Sequence, residues 1–348
     1  MPEGGRVATA EGAAAPAGAP EQATLGAPAG AGPWRLAWRR LRRNRATLVF
    51  GGVFVALVLF CIAAPLYAKH VAHTGPYENH LSDTIEQDGE TVNVVGFDGV
   101  PIGPTWRGEF LLGADDNGRD VMVRILYGGR NSLLIGVSAA LITLMLSILL
   151  GLVAGYMRGR VDGVISRMMD VLWAFPVVLL GVALGTSLAL GGFELGPVSV
   201  GPGSLLIPIF VISIVYVPYM ARPVRGQVLI LREQDFVEAA RSQGAGPLRV
   251  MFAEILPNLA STMIVFFPLL IANAILLEAA LSFLGAGVQS PEPSWGTMID
   301  SGVERIITAP MLTIAPGVFL VATVLALNVF GDGVRDAFDP KGRVRMEH

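Results

Sequence analysis

The sequence is poor in charged residues for its length. Only 15% of its 348 residues are Asp, Glu, Lys or Arg, whereas 53% are hydrophobic and the mean hydropathy is +0.58. A soluble domain carries about 25% charged residues. The lack of charge and the excess of apolar residues together predict an integral membrane protein.

Cysteine and lysine are nearly absent, and each absence excludes a class of site. Cys61 is the single cysteine, so neither an intrachain disulfide nor a cysteine-based metal cluster can form. The two lysines, Lys69 and Lys341, are followed by His and Gly, whereas a phosphate-binding loop continues from its lysine to Ser or Thr. The chain therefore has no ATP site of that type.

Other signatures of catalysis or of nucleic-acid binding are missing as well. The net charge is −3, which gives no indication of a nucleic-acid partner. Neither a GxSxG nor an HExxH motif occurs in the sequence. We therefore predict that the chain is not an enzyme.

Six apolar runs predict six transmembrane helices, because a hydrocarbon core of about 30 Å takes about 20 helical residues. The runs cover residues 47–68, 132–157, 171–190, 204–221, 259–284 and 311–331. The third and fourth contain or adjoin Pro176, Pro208 and Pro218, which a membrane helix tolerates when its neighbours satisfy the freed carbonyls. The predicted fold class is an all-α polytopic membrane protein.

The distribution of arginine and lysine predicts the orientation, because cytoplasmic loops carry an excess of them. Nineteen of the 25 basic residues lie before the first run, after the second, between the fourth and fifth, or after the sixth. Both termini are therefore predicted to be cytoplasmic. Two GxxxG patterns, Gly151/Gly155 and Gly181/Gly185, are expected to serve helix packing within the chain rather than a subunit interface.

The predicted order along the chain has five parts. Ala, Gly and Pro make up 23 of the first 33 residues, so residues 1–33 are predicted to be a disordered cytoplasmic tail. A basic anchor with the first span follows at 34–68, and an extracytoplasmic segment at 69–130. The transmembrane core covers 131–331 and includes a cytoplasmic loop at 222–258. A second cytoplasmic tail covers 332–348.

The loop between the fourth and fifth spans contains the stretch EAARSQGAGPLRVMFAEILPN, residues 238–258. Apolar residues leading into it recur at helical spacing, and Gly244 is a natural helix stop. Pro247 can open a second helix, and Pro257 can close it. These residues predict a helix, a tight turn and a second helix at the inner face of the membrane.

The predicted surface of this segment suits docking into a groove on a soluble partner. Ala239 and Ala240 give the first helix a shallow face, and Glu238 and Arg241 place charges at its edge.

The same stretch resembles the EAA signature of permease subunits in bacterial ABC importers, since EAARSQG is followed by Pro257 thirteen positions after its glycine. Further motifs resemble the C-type subunit of the dipeptide/oligopeptide/nickel permease family and occur in that family's order. They are LLGADDNGRDVMVRILYGGRNSLLIG (111–136), DVLWAFP (170–176), RGQVL (225–229), EAALSFLGAGVQSPEPSWGTMI (278–299) and GDGVRDAFDP (331–340). The resemblance covers about residues 35–340. The chain departs from the family pattern at Ala114 and Val123, where Thr and Ser are common, and at Glu254, where the EAA signature has Ile.

The resemblance implies a permease subunit of an ATP-driven importer that moves peptides across the bacterial cytoplasmic membrane by alternating access. The implied partners are a homologous B-type permease, two cytoplasmic ATP-binding subunits, an extracytoplasmic solute-binding protein and membrane lipid. The ATP-binding subunits would use ATP and Mg²⁺, so no cofactor is expected on this chain. The resemblance assigns coupling to the ATP-binding subunits to Glu238, Ala239, Ala240, Arg241, Gly244, Leu256 and Pro257.

Polar residues in the fifth run are candidates for the translocation path, because polar groups inside a membrane are costly and often functional. The candidates are Asn273, Glu278 and Ser282. Glu278 either lines the path or holds the outer loop SPEPSW by hydrogen bonds. The second role is preferred, since the family shares this glutamate across different substrates.

Two other functions remain open at this point. An ATP-independent secondary transporter or channel is expected to have inverted repeats, broken helices and ion ligands near the midplane, and no internal repeat is visible. Import of a nickel chelate would use the same ABC architecture. His70, His73 and His80 lie outside the first span but are expected to be ordinary loop residues. The acidic stretch GADDNGRD does not place its acids at EF-hand positions, so an Asp/Arg-bonded turn is predicted there.

Overall fold

The computed structural model describes residues 38–87, 89–195 and 198–338, and these are predominantly helical. The helices are α1 (Arg45–Ile62), α2 (Ala64–Tyr67), α3 (Val121–Met157), α4 (Gly159–Trp173), α5 (Val177–Gly191), α6 (Leu206–Leu231), α7 (Asp235–Ser242), α8 (Pro247–Arg249), α9 (Leu256–Met263), α10 (Phe267–Phe283), α11 (Trp295–Val303) and α12 (Met311–Phe338). The predicted tail at 1–33 and the last ten residues of the tail at 332–348 lie outside the described residues.

Short irregular turns and two hairpins complete the described chain. π-helical turns follow α2 (Ala68–Ala72) and α8 (Val250–Ile255), and a 3-10 turn (Ile264–Phe266) precedes α10. Two antiparallel hairpins pair β1 (Thr84–Gln87) with β2 (Glu90–Asn93), and β3 (Phe193–Leu195) with β4 (Val198–Val200). The sequence patterns did not predict these hairpins, because each strand has only three or four residues.

Five helices are long and apolar enough to cross a membrane, and a sixth span requires α4 and α5 to act as one. These two helices are bent by 88° at the break between them. The prediction of one continuous helix over 171–190 is therefore wrong. Pro176 lies at the break in extended geometry, with ψ of 130°, and the residue before a proline is disfavoured in the helical region.

Two spans are longer than their apolar runs. Helix α3 begins at Val121 rather than near residue 132, because Asp120 caps its first turn by accepting a hydrogen bond from the Val123 N–H at 2.9 Å. Helix α6 continues to Leu231, past the predicted end near residue 221, with Pro218 and Pro223 inside it. The loop predicted at 222–258 is correspondingly shorter.

The centre of the bundle is a close, parallel contact between α3 and α6. A Cβ atom added at Gly155 would lie 2.8 Å from the Val228 side chain, and one at Gly151 would lie 2.9 Å from the Ala221 carbonyl oxygen. Such small residues let helix backbones approach closely in a membrane. Gly181 and Gly185 similarly face Leu281 and Ala286 of the same chain. Both GxxxG patterns therefore serve packing within the chain, as predicted.

Hydrogen bonds from side chains to the backbone reinforce the α3–α6 contact. The Thr143 and Ser147 hydroxyls of α3 donate to the carbonyls of Ser213 and Val217, each at 3.1 Å. Both hydroxyl-bearing residues are fully buried. Helix α6 leads from this contact toward the segment at residues 235–258.

Candidate functional site

Residues 235–258 form a helix, a tight turn and a second helical segment, as the sequence predicted. Helix α7 ends at Ser242, and Gly244 follows in the left-handed region with φ of +84°. The Ala245 N–H donates to the Ala240 carbonyl at 3.0 Å, which closes the turn around the glycine. Pro247 then opens α8 at its first turn.

Pro257 does not close the second helix, so that prediction is wrong. The chain stays helical from Pro247 to Phe283 by passing through the π-helical turn and the 3-10 turn. Pro257 lies at the junction between the π-helical turn and α9, where the hydrogen-bonding pattern of the run changes, and its missing N–H does not end the helix. The second half of the segment is consequently one helical run with span α10.

Buried apolar side chains hold the segment against the bundle and leave its motif exposed. Val237, Val250, Met251 and Ile255 are almost completely buried. The motif residues Glu238, Ala239, Arg241, Gly244 and Pro257 are exposed, whereas Ala240 and Leu256 are half-buried. Within the described part of the chain, the Glu238 carboxylate has neither a hydrogen bond nor an ion pair.

Three exposed apolar side chains enlarge this surface and were missed by the sequence reasoning. Phe236, Leu248 and Phe252 are 37%, 68% and 48% exposed. Leu248 and Phe252 are four residues apart in a helical stretch and therefore share a face. The four-residue spacing of Leu248 and Phe252 could have indicated this shared face from the sequence, but the apolar residues around them mask the pattern.

Arg241 of α7 contacts the end of span α3. Its guanidinium carbon lies 5.3 Å from the centre of the Tyr156 ring, and that of Arg232 lies 5.8 Å from the same ring. Arg232 also donates to the Tyr156 carbonyl at 2.6 Å. Cation–π contacts at exposed sites contribute about 0.5–1 kcal/mol each. The motif is thus fastened to α3 through Tyr156, a residue that the sequence did not single out.

Ion pairs fasten α4 and its preceding turn to the C-terminal end of α6 and to the residues just after it. Arg225 donates to both carboxylate oxygens of Asp162 at 2.6 Å each, and Arg158 pairs with Glu233. Bidentate arginine–carboxylate pairs combine strength with a fixed geometry. Helix α4 is therefore set directly against the helix that precedes residues 235–258.

Asn273 lies on a pocket of about 380 Å³ bounded by α4, α6 and α10. Its side-chain amide nitrogen donates to the Leu269 carbonyl at 2.9 Å. Its backbone carbonyl accepts the Tyr216 hydroxyl at 3.2 Å. The predicted path residue is thus accessible from a cavity.

Glu278 and Ser282 are buried and hydrogen-bonded to each other on another face of the same helix. Glu278 is completely buried and accepts the Ser282 hydroxyl at 2.7 Å. The Ser282 oxygen in turn accepts the Val288 N–H of the outer loop at 3.0 Å. These contacts favour the loop-holding role for Glu278 and set both residues apart from Asn273.

The outer loop that follows α10 is bound to α3 by Trp295 and Glu292. The Trp295 indole is fully buried and donates to the Ile125 carbonyl at 3.1 Å. The Glu292 carboxylate accepts the Tyr77 hydroxyl at 2.8 Å and the Asn131 amide at 3.2 Å. Burial, together with this bond to Glu292, raises the pKa of Tyr77 to about 12.

The acidic stretch before α3 is an Asp/Arg-bonded turn, as predicted. Asp115 accepts hydrogen bonds from the Arg119 backbone N–H at 3.0 Å and from its side chain at 2.8 Å, and Arg124 lies 3.4 Å from the same carboxylate. His80 contacts Thr74 and Asp83, each at 2.7 Å. Within the described residues, no group of three or more His, Cys, Asp or Glu side chains is placed to hold a metal ion.

Comparison with known protein families gives two matches along the chain. Residues 147–344 match the family described as the binding-protein-dependent transport system inner membrane component. Residues 32–87 match the N-terminal transmembrane domain of oligopeptide transport permease C.

Individual relatives match over nearly the full length. The chain is 38% identical to the glutathione transport system permease protein of Pectobacterium atrosepticum, over 89% of this chain and 91% of that one. It is 38% identical to the di/tripeptide transport system permease protein of Pseudomonas aeruginosa, over 89% and 92%, and 34% identical to the oligopeptide transport system permease protein of Bacillus subtilis, over 89% and 90%.

A solved structure of an inward-facing MetNI methionine ABC transporter shares the fold. It aligns with 62% of this chain and 97% of that one, at a TM-score of 0.50 and 18% identity.

Proposed function

Because the chain belongs to the family of binding-protein-dependent transport system inner membrane components, we propose that it forms half of the path of an ATP-driven importer for short peptides. It is a multi-pass membrane protein and a transport subunit rather than an enzyme. The names of the relatives given above refer to glutathione, to di- and tripeptides or to oligopeptides. These names support a short peptide as the substrate of this chain.

The observation that carries the coupling role is the exposed motif at residues 238–258. Its charged residue Glu238 faces outward without a partner in the described chain, beside the exposed apolar side chains of Leu248 and Phe252. A shallow surface with an apolar centre and a charged edge matches the usual make-up of protein–protein contacts. The helical run from Pro247 into α10 and the contact of Arg241 with Tyr156 give two routes by which a docked subunit moves the spans.

The proposed partners are those that membership of this family implies. A homologous B-type permease completes the path, and two cytoplasmic ATP-binding subunits bind ATP and Mg²⁺ and dock on the coupling segments. An extracytoplasmic binding protein delivers the peptide to the outer face, where the hairpin β1–β2 and the outer loop lie. Both termini of the chain are cytoplasmic in this arrangement, in agreement with the arginine distribution.

One feature of the structure is also typical of secondary transporters. The pair α4–α5 is a broken helix of the kind that forms binding sites in those proteins. We nevertheless prefer the ATP-driven importer, because family membership and the exposed coupling motif both favour it. Nickel-chelate import is the weaker alternative within the same architecture, because none of the relatives compared above is named for nickel.

Co-purification tests the assembly directly. A tagged chain extracted in mild detergent is expected to co-purify with a second permease and two ATP-binding subunits. The two permeases should be present in equal amounts. A chain that purifies alone, yet transports solute after reconstitution, would identify a secondary transporter.

Cysteine labelling tests the orientation. Cys61 is buried, so the native chain offers little background for a thiol reagent. A cysteine introduced at the exposed Glu86 of β1 is expected to react with a membrane-impermeant maleimide in intact cells, whereas one at the exposed Ser242 should react only after lysis. The reverse pattern would overturn the proposed orientation.

A further inference from the structure

We infer that the pocket bounded by Trp173, Tyr219, Arg222 and Asn273 is a substrate-contact site on the translocation path, and that it takes a small zwitterionic, peptide-like solute. This inference rests on the proposed function. The pocket measures about 380 Å³, within the range of about 300–1,000 Å³ that is usual for small-molecule sites.

One wall of the pocket is an aromatic pair stacked on an ion pair. The rings of Trp173 and Tyr219 are 5.9 Å apart and inclined by 11°. The Arg222 guanidinium lies 4.7 Å from the centre of the Trp173 ring and donates to Asp170 at 2.8 Å. The charged groups remain reachable, since the side chains of Arg222 and Asp170 are 40% and 53% exposed.

The opposite wall is the apolar side of α10, with one amide in it. Phe266, Leu269 and Leu270 line this wall together with Asn273. The Asn273 nitrogen is used by the Leu269 carbonyl, and within the described residues its side-chain oxygen accepts no hydrogen bond. That oxygen is an acceptor for a donor such as a peptide N–H.

The pocket surface is mostly apolar, and the guanidinium of Arg222 and the amide of Asn273 are the polar groups that argue against contact with lipid. Ionised side chains and amides are costly in hydrocarbon, and in membrane proteins they face the bundle interior or a water-filled cavity. The break between α4 and α5 directly follows Trp173, and a broken backbone at membrane depth is tolerated where it is buried or lines a cavity. Both features indicate that the pocket opens toward the path.

The groups in the pocket match the parts of a short peptide. The carboxylate of such a solute would pair with Arg222, which lines the pocket. Its ammonium group would pair with Asp170, which lies beside the pocket at 2.8 Å from Arg222, so that the ion pair exchanges partners without adding net charge. Its peptide N–H would donate to Asn273, and an apolar side chain would lie on the Trp173 and Tyr219 rings. Glu278 and Ser282 take no part, because they are enclosed in the loop-holding network.

Photolabelling of the complete importer tests this site. The probe is alanyl-benzoylphenylalanine with free termini, added to the purified complex in detergent, and the labelled positions are read by mass spectrometry. Label is expected on α4, α6 or α10 at the pocket, and an excess of alanyl-phenylalanine should displace it, whereas the C-terminally amidated dipeptide should not. Label confined to other surfaces of the complex, or equal displacement by the amide, would overturn the assignment.

Variants separate substrate contact from assembly. Arg222→Gln and Asn273→Ala should each lower labelling by roughly tenfold or more, the loss expected for one good polar contact. Leu276→Ala, at an exposed position one turn away on α10, is the matched control and should retain labelling. The two pocket variants should keep the second permease on purification. Loss of the second permease would assign the pocket to the contact between permeases instead and would overturn the proposal.

A wild-type complex that is labelled at the pocket but shows no ATP-driven uptake would contradict the proposed function, whereas the assignment of the pocket as a substrate-contact site would stand.

Discussion

Replacing Gly244 with valine is expected to abolish peptide uptake while leaving the chain in the membrane. Gly244 has φ of +84°, and nothing lies within 4 Å of a Cβ atom added there. The substitution therefore acts through the backbone, with a strain of roughly 1–2 kcal/mol, and through a branched side chain placed on the docking surface. We expect the turn between α7 and α8 to reorient and the ATP-binding subunit to lose its contact. The measurements are peptide uptake by proteoliposomes that contain the complex, and co-purification of the second permease with the variant chain.

Gly246→Val is the matched control for this prediction. Gly246 also has open space around its Cβ position, but its φ of −71° is accessible to any residue. This variant is expected to retain most of the uptake. Equal loss of uptake in both variants would indicate that bulk anywhere on the turn is harmful, and the positive φ would not be the cause.

Replacing Trp295 with alanine is expected to destabilise the subunit more than any other single change considered above. The Trp295 ring is fully buried between α3 and the outer loop, and its indole N–H is paired with the Ile125 carbonyl. Truncating a buried tryptophan costs about 3–5 kcal/mol. The expected result is a large fall in the melting temperature of the detergent-solubilised complex and a low yield of assembled protein.

Trp106→Ala provides the comparison, because Trp106 is 69% exposed. Its effect on the melting temperature should be small, since exposed substitutions usually change stability by about 0.5 kcal/mol or less. Similar losses for both tryptophans would mean that the outer loop is not held by Trp295 in the way the hydrogen bonds and burial indicate.

The turn at Gly244 was predictable because its cause is local. A glycine after a helical pattern and a proline three residues later specify a helix stop and a helix start through backbone geometry alone. The six apolar runs were predictable for a similar reason, since bilayer thickness fixes their length. The break at Pro176 was visible as a proline, but whether a membrane helix bends there depends on the neighbours that satisfy its carbonyls.

The contacts that turn these elements into a working site were beyond the sequence patterns. Arg241 and Tyr156 are 85 residues apart, and only the packing of α3 beside α6 brings them together. The separation of Asn273 from Glu278 was equally hidden, because both residues lie in one apolar run. Which face of a membrane helix meets a cavity depends on the neighbouring helices, and hydropathy alone does not contain that information.

The proposed function requires residues 238–258 to couple the spans to the ATP-binding subunits, and Glu238→Lys tests this role. The measurement is ATP hydrolysis by the reconstituted complex with and without peptide-loaded binding protein, recorded beside peptide uptake. The variant reverses an exposed charge that has no partner in the described chain, so the subunit should insert and pair with the second permease normally. We expect the stimulation of ATP hydrolysis and the uptake to be lost together. Wild-type stimulation and uptake in Glu238→Lys would contradict the coupling role of this segment.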